Sequence, residues 1–317
     1  MSSPIKNVLI AGATGSLGAP ILAALLAEPS FNVTILTRAS SSAKFPANVP
    51  VRSVSDAFTT EELTEAFKGQ DAVVSALTTG AVTKDTLAYR LVDAVIAAGV
   101  KRYIPSEFGT NNLDPRARSM VPVYDAKGAA LEYLQKKAKE SQGRLTWTSF
   151  ACGSWLDWAL DPSKSGNFLG FNVKERKVTV WDSGKSRFAI TTSSNTGLAV
   201  VRSLLPAHYK ATANQQVYLA DFMTDTLSIL DALEKATGEK WSVDKKSSND
   251  ELAGLRAKYD GGDFNAAFAL LAVSFVADVN VGYEFDKEQK VWNDELGLPG
   301  STLEGIAKEA VELANRT

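Results

Sequence analysis

The chain has 317 residues, 45% of them hydrophobic, enough for one large domain or two modest ones, so disorder is not expected. Its 34 Lys and Arg against 36 Asp and Glu leave a net charge of −2, with no polybasic block or basic–aromatic stripe, which argues against nucleic acid and anionic membrane as partners. A single cysteine, Cys152, and a single histidine, His208, exclude an internal disulfide, a cysteine-cluster zinc site and a multi-histidine centre, so no metal is expected.

The polar stretch Met1 to Asn7 passes straight into an apolar strand, Val8-Leu9-Ile10-Ala11, which predicts no signal peptide and a cytoplasmic protein. No apolar run reaches membrane-spanning length, so no membrane partner is expected. Next comes Gly12-Ala13-Thr14-Gly15-Ser16-Leu17-Gly18, followed by Leu17, Ile21, Leu22, Leu25 and Leu26 at the spacing of a helix from Ser16 to Leu26. A glycine-rich turn between a buried strand and a helix is a cradle for pyrophosphate. The first glycine permits the tight turn, the second lets backbone approach phosphate, and the third lets helix and strand pack closely. Gly12, Thr14, Gly15, Ser16, Leu17 and Gly18 are therefore candidate cofactor contacts.

A second strand, Val33 to Leu36, leads to Arg38, twenty positions past Gly18. A dinucleotide fold sets its ribose selector there; an acidic residue would suit NAD, whereas arginine suits the 2′-phosphate of NADP(H). Lys44 is a second candidate cation. Val51 to Val54 reads as a strand, Thr60 to Phe67 as a helix with Thr60 as N-cap, and Ala72 to Ala76 as a fourth strand. The loop leaving that strand, with Ser75, Ala76 and Leu77, is expected to line the cofactor, because ligands bind outside the carboxyl ends of strands in open α/β sheets. An amphipathic helix over Asp85 to Ala98, a fifth strand Arg102-Tyr103-Ile104, the string Pro105-Ser106-Glu107-Phe108-Gly109 and a sixth strand Leu145 to Phe150 complete a doubly wound parallel α/β pattern.

After Phe150 the pattern changes, and Trp147, Trp155, Trp158 and Trp181 place four of the six tryptophans in one stretch. Val178 to Trp181 and Phe188 to Thr191 read as strands around a turn at Asp182-Ser183-Gly184. Asn195 to Leu205 reads as a helix, and Val217 to Ala220 as a late strand. Helices are predicted over Thr224 to Gly238, Asn249 to Lys258, Asn265 to Ala277 and Thr302 to Asn315. This gives a dinucleotide-binding domain over 1–154, with 186–220 returning to it, and a smaller, mainly helical substrate domain from 155–185 and 221–317.

Tyr124-Asp125-Ala126-Lys127 opens a helix after the fifth strand, but its i to i+3 spacing does not match the Tyr-x-x-x-Lys pair of short-chain dehydrogenases. Tyr124 is thus read as a packing or pocket-wall residue. Lys127 is the candidate catalytic group: a lysine facing a cofactor pocket loses hydration, its pKa falls, and it can exchange a proton with a substrate oxygen or bond the nicotinamide ribose. Trp155 and Trp158, three apart, read either as core packing or as a flat wall for an aromatic substrate. His208 reads as a surface or capping residue and Cys152 as a buried inert thiol.

The glycine stretch, Arg38, Pro105 to Gly109, Lys127 and the segment Thr148 to Trp155 with Gly153 resemble the NmrA-like / isoflavone reductase-like family of atypical short-chain dehydrogenases, as do Asp182-Ser183-Gly184 through Thr196-Gly197. The resemblance is densest from residue 5 to about 200, and Pro105 to Gly109 is its most specific piece. It implies a Rossmann domain binding NADP(H), with Arg38 at the 2′-phosphate, Ser106 and Phe108 beside the nicotinamide, and Lys127 as the catalytic lysine. Phe108, Gly109, Tyr124, Gly153, Trp155 and Trp158 are the candidate substrate contacts, and the tryptophan-rich segment departs from the family's pattern. Where related sequences carry acidic residues before the late helix, this chain has Ser193-Ser194-Asn195. Two functions fit: an NADPH-dependent oxidoreductase acting on a small aromatic or conjugated molecule, or a non-catalytic redox sensor of the NmrA type that signals through a protein partner. Both a monomer and a homodimer are compatible with the sequence.

Overall fold

In a computed structural model describing residues 5–83, 85–165 and 167–316, the elements run β1 (Asn7–Ala11), α1 (Gly18–Ala27), β2 (Asn32–Arg38), β3 (Val51–Val54), α2 (Thr60–Phe67), β4 (Ala72–Ser75), α3 (Thr79–Thr83), α4 (Leu87–Ala97) and β5 (Arg102–Ile104). They continue as α5 (Pro115–Met120), α6 (Pro122–Glu140), β6 (Thr146–Ala151), α7 (Leu156–Ala159), β7 (Phe171–Asn172), β8 (Lys177–Trp181), β9 (Phe188–Ile190), α8 (Ser193–Leu204), α9 (Pro206–Tyr209) and β10 (Gln215–Tyr218). The rest is β11 (Phe222–Thr224), α10 (Thr226–Thr237), β12 (Ser242–Lys246), α11 (Ser248–Asp260), α12 (Asn265–Val276), α13 (Phe285–Glu288) and α14 (Leu303–Ala314).

The chain divides into two units, one of 1–108, 126–150 and 194–217, the other of 109–125, 151–193 and 218–317. The segment 109–125 groups with the second unit, whereas the sequence reading kept 1–154 together. A seven-stranded sheet ordered β10-β6-β5-β4-β1-β2-β3 forms the first unit's framework. β1 pairs in parallel with β2 on one side and β4 on the other, Ile10 lying opposite Ile35 and Val74. The chain order reverses direction across β1, so the crevice outside its carboxyl end is the sheet's switch point, where such folds take ligands. Val8, Leu9 and Ile10 are completely buried, as a strand covered on both faces must be.

Asp71, just before β4, fastens the start of this sheet. Its carboxylate accepts from the Lys6 and Asn7 N–H groups at 3.0 and 2.9 Å and from Lys101 Nζ at 2.7 Å. Burial pushes its pKa up, but the Asn7, Lys101 and Lys6 donors outweigh it and the net shift is downward. A depressed folded pKa gives stability that is present above the unfolded value, near 4, and is lost as pH falls through the folded value. Asp71→Asn is therefore expected to lower unfolding free energy by about 1–3 kcal/mol at neutral pH, with the difference shrinking towards pH 3. Urea denaturation of both proteins at the two pH values measures this. An equal deficit at both would remove the charge from the explanation.

Several expectations are corrected. Thr59, not Thr60, caps α2: its hydroxyl accepts from the Glu62 N–H, and the Glu62 carboxylate accepts from the Thr59 N–H. β8 and β9 exist but do not pair as a hairpin. β8 lies between β12, in parallel, and β7, while β9 pairs antiparallel with β11. The intervening turn is held elsewhere, because the Asp182 carboxylate accepts from the Ser248 N–H and hydroxyl and from the Asp278 N–H. The late strand β10 joins the main sheet beside β6. The second unit packs around an aromatic-rich core in which Phe275 and Tyr283 stack at 4.2 Å.

Candidate functional site

The glycine turn follows β1 at the switch point. Gly12 has φ +84°, and a Cβ there would lie 2.4 Å from the Ala76 carbonyl oxygen beyond β4. A Cβ on Gly18 would lie 1.9 Å from the Gly12 carbonyl oxygen, whereas the nearest atom to one on Gly15 is at 3.4 Å. The outer two glycines therefore allow the backbone to fold on itself, and the middle one keeps the outer face clear. The Gly15 N–H closes the turn on the Gly12 carbonyl at 3.0 Å. Leu17, at the N-cap of α1, supplies no side-chain acceptor to the first turn, in contrast to the closed end of α2. A glycine turn with no side chain in the way, leading into a helix start, fits a pyrophosphate, although the Ala19 N–H already donates to the Gly15 carbonyl at 3.0 Å. Thr14 and Ser16 are exposed at the rim, and Leu17 is buried.

At the carboxyl end of β2, Arg38 is exposed and pairs with Val54 of β3. The turn after it is fixed: the Ala39 N–H donates to the Val54 carbonyl at 2.8 Å and the Ser40 N–H to Asp56 Oδ1 at 3.3 Å. These Ser40 hydrogen bonds, and to a lesser degree the Arg38 charge, hold the Asp56 pKa below its ordinary value. Lys44 is exposed in the loop that follows.

The next two strand ends interlock. The Ala76 N–H donates to the Ala11 carbonyl at 2.8 Å, placing Ser75, Ala76 and Leu77 against the glycine turn. The Ser106 hydroxyl, beyond β5, donates to the Leu77 carbonyl at 2.7 Å. Lys127 on α6 is 8% exposed, and its Nζ donates to the Glu107 carbonyl at 2.8 Å. Phe108 has φ +36°, uncommon for a phenylalanine, and its buried ring stacks on Phe150 at 6.0 Å, nearly parallel. Gly12, Ala76, Leu77, Ser106 and Lys127, far apart in the chain, are thus joined by a short series of contacts within the first unit. A small cavity beside Lys127 is lined by Tyr103, Ser106 and Glu107 together with Val82 and Leu91.

The remaining candidates lie in the second unit. The Cys152 and Gly153 N–H groups both donate to the Gly109 carbonyl, at 2.8 and 2.9 Å. Gly153 has φ +63°, and a Cβ there would lie 2.0 Å from the Ala189 carbonyl oxygen. Trp155 Nε1 donates to the buried Cys152 Sγ at 3.2 Å, and its ring meets Trp158 edge to face at 6.3 Å. Tyr124 is 2% exposed and accepts from the Tyr283 hydroxyl at 3.1 Å. Burial and then Tyr283 raise its pKa well above the ordinary value, so the phenol stays protonated. His208 lies instead in the first unit, in the short helix α9.

Asp157 is a residue the sequence reading passed over. Both its carboxylate oxygens accept from the Ser193 N–H at 3.1 Å, and one also accepts from the Ser193 hydroxyl at 3.2 Å. It supplies from α7 the negative charge that Ser193-Ser194-Asn195 lacks at the start of α8. Burial raises its pKa, against the Ser193 hydrogen bonds that lower it. The only signal in the sequence was an acid inside a tryptophan-rich apolar stretch. Among the described residues, no His, Cys, Asp and Glu group is arranged to hold a metal ion, and no helix is long and apolar enough to cross a membrane.

Comparisons with known proteins bear on the same region. Residues 12–171 match the family described as NAD(P)H-binding. An oxidoreductase of Aspergillus flavus is 41% identical over 239 residues, covering 75% of this chain and 76% of that protein. An isoflavone reductase homolog of Zea mays is 28% identical over 313 residues, covering 93% and 94%. In fold, the chain is similar to leucoanthocyanidin reductase from Vitis vinifera, with a TM-score of 0.76 at 18% identity over 96% of this chain and 99% of that one.

Proposed function

The chain belongs to the NmrA-like / isoflavone reductase-like family of NAD(P)H-binding oxidoreductases, and from that premise we propose that it is an NADPH-dependent reductase of a small aromatic or conjugated substrate. The observation that carries the reading is Lys127: a buried ammonium, fixed at 2.8 Å to the Glu107 carbonyl in the loop that also carries Ser106 and Phe108. A sensor that only binds the dinucleotide has no use for a buried proton donor at that position.

The fit to the cofactor rests on the glycine turn leading into α1, where the backbone from Gly12 to Gly18 would hold the pyrophosphate. Arg38 would meet the 2′-phosphate with a charge-assisted, two-pronged contact, and exposed Lys44 would add a second positive charge. Ser75, Ala76, Leu77 and Ser106 line the path, and Phe108 gives the nicotinamide a flat neighbour held by Phe150. NADPH, when bound, supplies the hydride. Lys127 Nζ holds the proton that the reduced substrate's oxygen or nitrogen must gain, so hydride and proton together complete the addition of two hydrogens. The proposed substrate contacts in the second unit are Gly109, Gly153, Trp155 and Trp158, and Tyr124 packs in that unit's core.

The reading is tested by cofactor oxidation over a panel of aromatic ketones, enones and imines, run with NADPH and with NADH. At least one substrate is expected to turn over, with NADPH bound more tightly than NADH by about 1.5–3 kcal/mol, the scale of a charge-assisted hydrogen bond. Equal binding of the two dinucleotides would remove Arg38 from its role. Silence across the panel, with a co-purifying protein partner, would make the chain a sensor.

A further inference from the structure

Two polar groups in the segment Ser154 to Trp158 are buried with no partner among the described residues: the Ser154 hydroxyl and the indole N–H of Trp158. A donor kept from both water and an acceptor is costly, and its persistence calls for an explanation such as a missing ligand. The neighbouring indole is satisfied, since Trp155 Nε1 donates to Cys152 Sγ. Around Trp158 the rings form a series. Trp155 and Phe168 meet it edge to face at 6.3 and 5.4 Å, and Phe168 leans on Phe268 at 5.2 Å. Phe268 lies on α12, apolar along nearly its whole length, and is 47% exposed. Such a helix is ordinarily covered on all sides. All of these residues belong to the second unit, so a line of aromatic rings leads there from solvent to an unused hydrogen-bond donor.

We propose that Trp158 is a specificity-determining residue, whose indole N–H donates to a carbonyl or similar oxygen on a flat aromatic ligand seated against Trp158, Phe168 and Phe268. The identity of that ligand as the substrate rests on the reductase reading above. The rings supply area without regard to orientation, and the N–H fixes which end of the ligand carries oxygen. Because the donor is covered in this structure, the ligand enters by displacing part of this ring series, whose most exposed member is Phe268.

The test uses the full chain loaded with NADP+ and labelled with 15N at the indoles of its six tryptophans, the Trp158 signal being assigned by its loss in Trp158→Phe. The probes are 2-acetylnaphthalene and 2-ethylnaphthalene, which share a ring system and differ in the oxygen. The ketone is expected to move the Trp158 indole proton downfield and to bind about tenfold more tightly than the hydrocarbon, the worth of one hydrogen bond to an otherwise unpaired donor. In Trp158→Phe that preference is expected to vanish, while Phe268→Ala weakens both probes alike. A Trp158 signal that ignores the ketone, a preference that survives Trp158→Phe, or no binding of either probe would overturn the proposal. Failure of the reductase reading looks different: the ketone would bind and shift Trp158, yet no member of the panel would oxidise NADPH.

Discussion

Gly18→Ala is expected to reduce NADPH affinity by about a hundredfold or more, the loss of two charge-assisted hydrogen bonds to phosphate. The added methyl would stand 1.9 Å from the Gly12 carbonyl oxygen and 2.8 Å from its carbon, both backbone atoms that cannot swing away. The turn would have to open, and the Gly15 N–H would leave the Gly12 carbonyl it holds at 3.0 Å. Opening the turn would misaim the N–H groups proposed to meet the pyrophosphate. Gly15→Ala is the internal control: its Cβ finds its nearest neighbour at 3.4 Å, so any loss there comes from crowding the ligand and not from breaking the turn. Gly12→Ala is a poorer probe, because a φ of +84° and a 2.4 Å clash with Ala76 put the packing of β1 on β4 at risk as well. Fluorescence titration with NADPH, beside thermal melting by circular dichroism, measures the effect. Binding by Gly18→Ala within about threefold of the parent would show that the turn does not seat the cofactor.

Lys127→Ala is expected to lower kcat/KM by about 10²–10⁴-fold, the range for loss of a general acid, while NADPH affinity changes by no more than a few-fold. Lys127→Met, which keeps most of the buried aliphatic stem, is expected to behave the same way, separating the loss of the ammonium from the loss of volume. The ammonium donates to the Glu107 carbonyl, and that backbone acceptor fixes its direction. Turnover that falls together with NADPH affinity would make Lys127 a binding residue; unchanged turnover would remove it from the mechanism. The measurement is steady-state kinetics on whichever panel substrate turns over, paired with a cofactor titration.

Much of the first unit was legible because its signals are local. A buried strand needs a continuous apolar run, a helix needs apolar residues at its own period, and a turn this tight needs glycine. Val8 to Ala11, the set from Leu17 to Leu25 and Gly12 to Gly18 carry all three in a single stretch of sequence. The fifth strand, Arg102 to Ile104, was likewise read to the residue. Apart from the cap of α2, misplaced by one residue, the misreadings fell where the decisive partner is distant. Alternation in Val178 to Trp181 and Phe188 to Thr191 marks strands but not which strand each one joins, and Asp182 is spoken for by Ser248 and Asp278. Asp157 went unnoticed because nothing next to it in sequence shows that it caps a helix beginning thirty-six residues later.

By itself, then, the sequence determined the parallel α/β pattern, the glycine turn between β1 and α1 and the position of Arg38 at the carboxyl end of β2. Each depends on backbone geometry and side-chain character within a few residues. The tertiary structure alone decided that Lys127 is buried and bonded to Glu107, that Ser106 locks onto Leu77, that Tyr124 is sealed against Tyr283, and that Trp158 keeps a covered N–H with no partner among the described residues. Those are facts about burial and about partners far away in the chain. Residue type limits what a side chain can do, but only the folded packing determines whether it meets water, another side chain or a ligand.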